Sequence, residues 1–364
     1  MNTILKLEHI QKYYGNEGNI TKAIKDISFS VEAGEFLGIM GASGSGKTTL
    51  LNCISTIDTV SAGHIFLEGT DITEINPKSL ARFRRENLGF VFQDFNLLDT
   101  LTISENIALA LAINKVPAGS VEPCILDIAG KLNISDILNK YPYQVSGGQK
   151  QRVAFARALA PNPNLLLLDE PFAAIDAKVR QELRSWLKDM IERLGVTSIF
   201  VTHDQSEAIE VADEIIITNK GRIEQIGSPI DIYQHPETAF SASFFGQTTT
   251  LDDYTKFKTF DVVENVDRAV IRPEFVKVTK LSETTVQKAS VSVGEVIKTS
   301  FRGDNIEIAV KCDGGTVYAY RGLDETPITV GEKVNVFLYR LFITKGDEVQ
   351  ILRNKSLQEE SVII

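Results

Sequence analysis

A glycine-rich loop directly after a short apolar run is the feature that most constrains this fold. Continuous apolar runs of this kind are typical of buried strands in parallel sheets. The glycines of such a loop let backbone N–H groups turn inward around phosphate oxygens, and the N-terminus of the next helix adds a favourable dipole. The sequence therefore predicts a strand, a phosphate loop and a helix, formed by Phe36-Leu37-Gly38-Ile39-Met40, then Gly41-Ala42-Ser43-Gly44-Ser45-Gly46-Lys47-Thr48.

The last residues of this loop have separate expected tasks. Lys47 would reach the β- and γ-phosphates of a nucleotide, and the Thr48 hydroxyl would bind Mg²⁺. Thr49 follows them and is assigned to the same nucleotide site. The alternative is a Gly/Ser-rich surface turn, but the full motif in its required setting disfavours that interpretation.

Further strands and helices alternate after the loop. The runs Leu165–Leu168 and Ser198–Thr202 resemble the first strand in length and composition. Between them, apolar residues recur at helical spacing from Asp176 to Leu194, which predicts an amphipathic helix that covers the sheet. This alternation indicates an α/β layered domain.

Polar residues follow three of the apolar strands. Asp169 comes at the tip of one strand and fits a carboxylate of the Mg²⁺ shell, and Glu170 beside it could act as general base for the attacking water. Asp-Glu-Pro would also suit a helix start. Gln93 could touch Mg²⁺ and the water. His203 could hydrogen-bond the γ-phosphate, although a single histidine at a strand end is more often structural.

Three other features bear on nucleotide binding. Tyr14 could offer an aromatic face to adenine, or it could be a surface tyrosine in a turn. Asp176 could be no more than a helix N-cap. The third feature is a second glycine pair, which follows a serine in Ser146-Gly147-Gly148-Gln149.

Taken together, these motifs resemble the ATP-binding subunits of ABC transporters, in order and spacing, over residues 4–246. The resemblance implies ATP and Mg²⁺ as ligands and a helical subdomain at about residues 94–160. It also implies a homodimer in which Ser146, Gly147, Gly148 and Gln149 cap the ATP of the opposite subunit, with Asp176 at the dimer seam. Val145 and Ile175 replace the family's usual leucines and remain apolar.

The resemblance also implies partners and a location. Such an ATPase works beneath two transmembrane permease subunits at the cytoplasmic face of the membrane, and indirectly with an extracytoplasmic substrate-binding protein. The segment from Gln93 to Asn106 is expected to touch the permease.

After Gly246 the sequence changes from alternating strands and helices to short β-rich pieces separated by glycine and aspartate turns. This pattern of short strands and turns predicts a small all-β, OB-like barrel over residues 247–364, with a frayed tail from Ser356. The predicted strands are Ala269–Ile271, Ser290–Val296, Glu307–Val310, Thr316–Tyr320, Val334–Leu341 and Glu348–Leu352.

Composition excludes several classes of protein. A net charge of -10 argues against a nucleic-acid partner, because phosphate backbones call for basic patches. Cys53, Cys124 and Cys312 lie far apart, which favours reduced thiols over a disulfide or zinc framework. No signal peptide is apparent, and no apolar run is long enough to span a bilayer. In membrane transport, other chains would therefore form the pore.

The sequence defines the transported substrate less clearly than the ATPase family, because its two halves resemble different transporters. Residues 41–149 resemble the ATPases of peptide-antibiotic and lipoprotein exporters, for example in the segment Gln93–Thr102. From Asp169 onward the chain resembles importer ATPases, especially the sulfate/thiosulfate group. The resemblance lies in residues 169–180, including Ala174, and in Gly221–Gly227.

The tail adds weight to import. Ile271-Arg272-Pro273-Glu274 and Phe301-Arg302-Gly303-Asp304 resemble the β domain appended to importer ATPases for oxyanions, sugars, polyamines and iron. Sulfate or thiosulfate import is therefore the leading expectation. The alternatives are import of molybdate, iron, a polyamine or a sugar, export of peptide antibiotics or lipoproteins, a non-transport ABC ATPase, and a mainly regulatory binding module. A natural mosaic or an engineered fusion of the two halves also remains open.

Overall fold

A computed structural model of the chain describes residues 2–15, 19–173, 175–283 and 290–357. The chain divides into two compact units, Met1–Ile230 and Asp231–Ile364. Ala174 and most of the predicted frayed tail lie outside the described residues.

The first unit alternates strands and helices, as its sequence predicts. Its amphipathic helix α6 begins after Asp176 and ends at Leu194, where Gly195 caps it in the left-handed conformation. In chain order the elements are β1 (Thr3–Tyr14), β2 (Thr21–Glu32), β3 (Phe36–Gly41), α1 (Lys47–Ile54), β4 (Ala62–Leu67), β5 (Thr70–Asp71), α2 (Pro77–Asn87), β6 (Leu88–Val91), α3 (Ile103–Ile113), α4 (Ala118–Lys131), α5 (Gly147–Leu159), β7 (Leu165–Asp169), α6 (Ala177–Leu194), β8 (Thr197–Thr202), α7 (Gln205–Val211), β9 (Glu214–Asn219) and β10 (Arg222–Gly227).

One mixed sheet of ten strands organises this unit, in the order β5-β4-β1-β2-β10-β9-β3-β8-β7-β6. Strands β9, β3, β8, β7 and β6 are joined by parallel pairing, whereas β1, β2, β4 and β5 pair antiparallel. The apolar runs of β3, β7 and β8 are buried on both faces, as their continuous hydrophobicity predicts. The helix α1 packs against β3, β7 and β8.

Helices α3, α4 and α5 lie between β6 and β7 in sequence, within the range expected for a helical subdomain. The buried amide of Asn106 on α3 stabilises the segment before this helix. Its Oδ1 accepts a hydrogen bond from the backbone N–H of Leu98 at 2.9 Å. Its Nδ2 donates to the carbonyls of Leu98, Leu101 and Thr102 at 3.0–3.2 Å. A single side chain thus fixes the backbone from Leu98 to Thr102, directly before α3.

The second unit is mainly β, with two short helices at its start. Its elements are α8 (Pro229–Gln234), which begins just before the unit boundary, α9 (Ala239–Phe244), β11 (Thr249–Leu251), β12 (Arg268–Ile271), β13 (Val276–Lys280), β14 (Ser292–Phe301), β15 (Asn305–Cys312), β16 (Gly315–Gly322), β17 (Lys333–Leu338), β18 (Arg340–Lys345) and β19 (Glu348–Arg353). A four-stranded sheet has the order β11-β12-β18-β19, and a five-stranded sheet has the order β13-β17-β14-β15-β16.

The boundary between the units falls earlier than the expected one after Gly246, and a buried arginine provides the physical reason. Arg272 is fully buried, and its guanidinium donates to the carbonyls of Tyr233 on α8 and Ala242 on α9. The guanidinium also lies 4.2 Å from the centre of the Tyr233 ring. Tyr233 and Ala242, and with them most of these two helices, therefore belong with the β unit.

Two details of the β unit differ from the sequence prediction. The predicted strand Val334–Leu341 is two strands, because the backbone of Tyr339 bonds to Phe275 and Asn354 while the chain passes from one sheet to the other. Strands β11 and β13 were not predicted.

The buried amide of Asn106 generates a stability prediction. Replacing it with alanine removes four hydrogen bonds to the partly buried backbone of Leu98, Leu101 and Thr102, so we expect Asn106→Ala to lower the free energy of unfolding by about 2–4 kcal/mol. Asn114→Ala, which removes a single bond to the carbonyl of Ala110 on the same helix, should cost about 1 kcal/mol or less. Urea unfolding followed by fluorescence of the single tryptophan, Trp186, measures both. Equal losses of unfolding free energy in the two variants would contradict the stabilising role assigned to the Asn106 amide.

Candidate functional site

Parallel pairing brings four strand ends to one edge of the sheet in the first unit. Met40 pairs with Thr202, Asp169 with Val201, and Val91 with Leu168. The residues that follow β3, β8, β7 and β6 therefore meet at this edge, where ligands of open α/β sheets bind. These residues are the glycine-rich loop, His203, Glu170 and Gln93.

The predicted phosphate loop is held tightly against its neighbours. Gly46, the N-cap of α1, has φ 101°. A Cβ at Gly41 would lie 2.1 Å from the carbonyl oxygen of Thr218, so only glycine fits there. Ser45 Oγ is 2.9 Å from Thr218 Oγ1, which ties the loop to β9. The loop is thus a preformed cradle between β3 and α1.

The ammonium of Lys47 folds back onto this loop. Its Nζ donates to the carbonyls of Gly41 at 2.8 Å and Ala42 at 3.2 Å. Burial lowers the pKa of Lys47, and the charges of Glu170 and Asp169 oppose that shift. The side chain is therefore placed at the mouth of the loop among carboxylates, where a phosphate could replace the carbonyls as its partner.

Asp169 is suited to a divalent cation. Burial, and then the charge of Glu170, raise its pKa, whereas a hydrogen bond with Thr48 and the charge of Lys47 lower it. Its Oδ1 is buried and lacks a hydrogen-bond partner in the described part of the chain. A buried carboxylate oxygen without a partner is unfavourable on its own. The carboxylate and the neighbouring Thr48 hydroxyl are oxygen ligands of the type that Mg²⁺ prefers, so these residues fit the ion.

Glu170 and His203 form a polar pair beside Asp169. The Oε1 of Glu170 lies 3.1 Å from Nδ1 of His203. The Glu170 backbone has φ 46°, a left-handed conformation that is costly for a residue with a side chain, and its N–H donates to the carbonyl of Val201 at 3.1 Å. The strained backbone and the β8 carbonyl together aim this carboxylate at the sheet edge, next to an exposed imidazole.

Gln93 lies in the turn after β6 and is exposed. The next turn is strained, because Phe95 and Asn96 have φ 61° and 48°. Arg157, in the last turn of α5, donates to the carbonyls of both residues, at 2.7 and 2.5 Å. The backbone beyond Gln93 is therefore attached directly to α5.

The serine-glycine-glycine segment forms the exposed start of α5. Ser146 is its N-cap, and Ser146 and Gln149 bond reciprocally in a capping box at 3.0 and 3.3 Å. This box leaves the helix N-terminus with orphan backbone N–H groups at Gly147 and Gly148, a setting that suits an anion.

Asp176 also caps a helix. It is the N-cap of α6 and accepts a hydrogen bond from the Val179 backbone at 3.1 Å. A Cβ at Gly148 would lie 3.0 Å from Cγ1 of Val179, so the beginnings of α5 and α6 are adjacent. The N-cap interpretation thus accounts for the position of Asp176 within one subunit.

Tyr14 ends β1 close to the phosphate-loop helix. Its hydroxyl donates to Asp58 at 2.6 Å, and the ammonium of Lys12 lies 4.8 Å from its ring centre. Neither Lys12 nor Asp58 is among the site residues predicted from the sequence. The spacing of Lys12 and Tyr14, two residues apart on a strand, was a usable signal because such residues share a face. Asp58 gave no comparable local signal.

Two glycines of the loop give a matched test of its geometry. Alanine at Gly46 would place Cβ 2.6 Å from the Ala23 carbonyl oxygen, whereas alanine at Gly44 meets nothing within 4 Å. Both positions have positive φ, so each variant pays backbone strain of roughly 1–2 kcal/mol. We expect Gly46→Ala to weaken nucleotide binding by more than about tenfold and Gly44→Ala to weaken it less. Isothermal titration with ATP measures both, and the reverse order would refute the expected packing.

The chain matches two protein-family models. The model described as ABC transporter matches residues 24–173, and the TOBE domain model matches residues 269–338. The first match contains the phosphate loop, the capped start of α5 and the Asp169–Glu170 pair. No helix in the described ranges is long and apolar enough to cross a membrane.

Similar solved structures support the same assignment. A dimeric ATP-binding cassette in a post-hydrolysis state with ADP and Pi is 35% identical, with a TM-score of 0.56, and covers 62% of this chain and 99% of that one. The cbiO1 protein of Clostridium perfringens, part of the ABC transporter complex cbiONQ, is 28% identical, with a TM-score of 0.59, and covers 65% of this chain and 92% of that one.

Similar curated proteins cover more of the chain. A sulfate/thiosulfate import ATP-binding protein of Gloeobacter violaceus is 42% identical over 73% of this chain and 74% of its own length. One of the same description from Neisseria meningitidis serogroup B is 34% identical over 95% of this chain and 98% of its own length. With these relatives and the geometry of its sheet edge, the chain belongs to the ATP-binding subunits of ABC transporters and carries a C-terminal TOBE domain.

Proposed function

We propose that this ATPase drives the import of an inorganic oxyanion, with sulfate or thiosulfate as the cargo. One observation carries the choice: relatives 34–43% identical, which are described as sulfate/thiosulfate import ATP-binding proteins, match up to 95% of the chain, including its β unit. Residues 41–149, which resemble exporter ATPases, include no part of that unit. The solved dimeric cassette that is 35% identical to this chain covers only 62% of it.

In the proposed site, ATP lies along the carboxyl edge of the sheet. The loop residues Gly41–Thr48 and the adjoining Thr49 surround its phosphates, and Lys47 exchanges its two carbonyl partners for phosphate oxygens. The ring of Tyr14 stacks on the adenine, for which its exposed fraction of 41% leaves room. Base–aromatic stacking is worth roughly 1–3 kcal/mol, so this contact would affect affinity more than turnover.

The residues that would hold Mg²⁺ are Thr48, Asp169 and Gln93. Support comes from the buried, unpartnered Oδ1 of Asp169 beside the Thr48 hydroxyl. When bound, the ion neutralises charge that develops on the phosphate oxygens. Gln93 is exposed and follows β6, the strand that pairs with β7, so its amide oxygen would be a further oxygen ligand for the ion.

Hydrolysis in this proposal depends on Glu170 as general base. Its carboxylate accepts a proton from water while the water oxygen bonds to the γ-phosphorus and the bond to the β–γ bridging oxygen breaks. His203, which contacts the same carboxylate, hydrogen-bonds the γ-phosphate, and Gln93 orients the water. ADP and inorganic phosphate leave, and Glu170 returns its proton to solvent.

A second copy of the chain completes each site. The exposed start of α5, with Ser146, Gly147, Gly148 and Gln149, would cap the γ-phosphate held by the partner, with Asp176 at the seam. ATP then favours the closed dimer, because its contacts with both copies exist only in that state. Loss of the γ-phosphate removes these contacts and reopens it.

The proposed transporter contains further subunits. Two transmembrane permease subunits would hold this dimer at the cytoplasmic face of the membrane, and an extracytoplasmic binding protein would deliver the cargo. The segment between Gln93 and Asn106 is the proposed permease contact. Its fixed backbone, attached to α5 by Arg157 and to α3 by Asn106, would transmit motion between the ATP site and the membrane.

The proposed base can be tested with Glu170→Gln. The variant keeps the phosphate contacts but loses the proton acceptor, so we expect ATP turnover to fall about 100-fold or more while ATP binding persists. The ATP-bound variant should therefore elute as a dimer in size-exclusion chromatography. Glu86→Gln, which alters an exposed ion pair with Arg82, should behave like the wild type. A purely monomeric Glu170→Gln protein with ATP would exclude this model of the site.

The proposed cargo can be tested in the organism that carries this chain. Deleting the chain should abolish uptake of labelled sulfate and growth on sulfate as sole sulfur source, but leave growth on cysteine intact. The wild-type chain should restore uptake, and a Lys47→Ala chain should not, because its phosphate contacts are lost. Normal sulfate uptake after deletion, combined with new sensitivity to a peptide antibiotic, would favour the exporter alternative.

A further inference from the structure

A buried lysine lies against the ring of Tyr14. Lys12 is 7% exposed, and its Nζ lies 4.8 Å from the ring centre. The same Nζ donates to Oδ1 of Asp58 at 2.5 Å and to the carbonyl of Thr59 at 2.6 Å. A buried ammonium is costly unless it is paired, and here a carboxylate and a carbonyl pair with it. The cation is therefore held in one place relative to the ring.

Asp58 connects this arrangement to the phosphate-loop helix. Its Oδ2 accepts a hydrogen bond from the Tyr14 hydroxyl at 2.6 Å, and its backbone N–H donates to the carbonyl of Asn52 on α1 at 3.1 Å. Burial raises the pKa of Asp58, but the hydrogen bonds of Lys12 and Tyr14 outweigh it, so the carboxyl stays ionised near neutral pH. One carboxylate thus joins the tyrosine, the lysine and the helix that begins at Lys47.

We propose that Lys12 and Asp58 are positioning residues for the base of ATP: they fix the ring of Tyr14 beside α1, and Lys12 polarises it for stacking. The proposal rests on the nucleotide site described above, in which Tyr14 contacts adenine. Neither residue touches the phosphates in this arrangement. Their contribution is thus confined to the base.

Two physical effects of this arrangement both favour the stacking of a base on Tyr14. The hydroxyl bond and the cation restrict the ring to one orientation, so less conformational freedom is lost when a base stacks on it. The cation also attracts the negative π cloud toward its own side of the ring. The opposite face becomes less negative and repels the π cloud of a purine less.

The neighbouring tyrosine provides a matched control. Tyr13 is adjacent to Tyr14 on β1, and the ammonium of Lys22 lies 5.3 Å from its ring centre. Lys22→Met therefore removes the same type of contact from a ring that is not assigned to the base. Lys12→Met removes the cation at the site and keeps the aliphatic stem.

The experiment compares KM for ATP with competitive inhibition by inorganic tripolyphosphate, which has no base. We expect Lys12→Met to raise KM about three- to tenfold with kcat nearly unchanged, because the ring stays in place and only part of the base–aromatic contact is lost. The inhibition constant of tripolyphosphate should stay at the wild-type value. Asp58→Asn should shift KM in the same direction, and Lys22→Met should leave it unchanged. In a Tyr14→Ala background, Lys12→Met should have no further effect on KM.

The outcomes distinguish a failure of the positioning role from a failure of the proposed nucleotide site. An unchanged KM in Lys12→Met, or a parallel rise in the tripolyphosphate constant, overturns the positioning role, since the latter means general loosening of the loop. An additive effect in the Tyr14→Ala background overturns it as well. If Lys12→Met does not fold, Asp58→Asn and Tyr14→Phe, which keep the buried stem and the ring, decide by the same criteria. A wild-type chain that binds neither ATP nor tripolyphosphate refutes the proposed nucleotide site itself.

Discussion

Parallel pairing among β3, β8, β7 and β6 is the constraint on which the site depends. Because these strands run in one direction, the residues after their carboxyl ends meet at one edge, although they are distant in sequence. A shift of one residue in β7 would turn Asp169 to the opposite face of the sheet. The parallel pairing of β7 with β6 on one side and β8 on the other thus determines where the carboxylates lie.

The opposing charges at this edge are costly without a ligand. Burial raises the pKa of Asp169 and lowers that of Lys47, which means that the site disfavours both charged forms. Each residue partly compensates the other by its charge. A nucleotide and a cation placed between them would give each group a closer partner. Because Asp169 and Lys47 are already desolvated in the folded chain, ligand binding would not have to remove much water from them.

Local patterns predicted most of the α/β unit and brought the residues of its candidate site to notice, but contacts between distant residues were not predictable. The loop Gly41–Thr48, Asp169, Glu170 and His203 follow apolar strands directly, so their common edge follows from strand direction. Lys12 and Asp58 are 46 residues apart and share no local signal. In the second unit, the break at Tyr339 depends on which sheet each half joins, and the early boundary depends on the carbonyls that Arg272 contacts. Such pairings are decided by packing.

Helix α5 has a capping serine at its beginning and an arginine that holds a neighbouring turn near its end. Ser146 caps its beginning, and Arg157 in its last turn holds the strained backbone after Gln93. A helix of 13 residues is about 20 Å long and nearly rigid. A lever of this kind cannot tilt at one end without displacing the other. A displacement of the capped end by a ligand or a partner would therefore also reorient the turn that follows Gln93. The rigid helix itself transmits this motion, so no series of side-chain contacts between the two ends is needed.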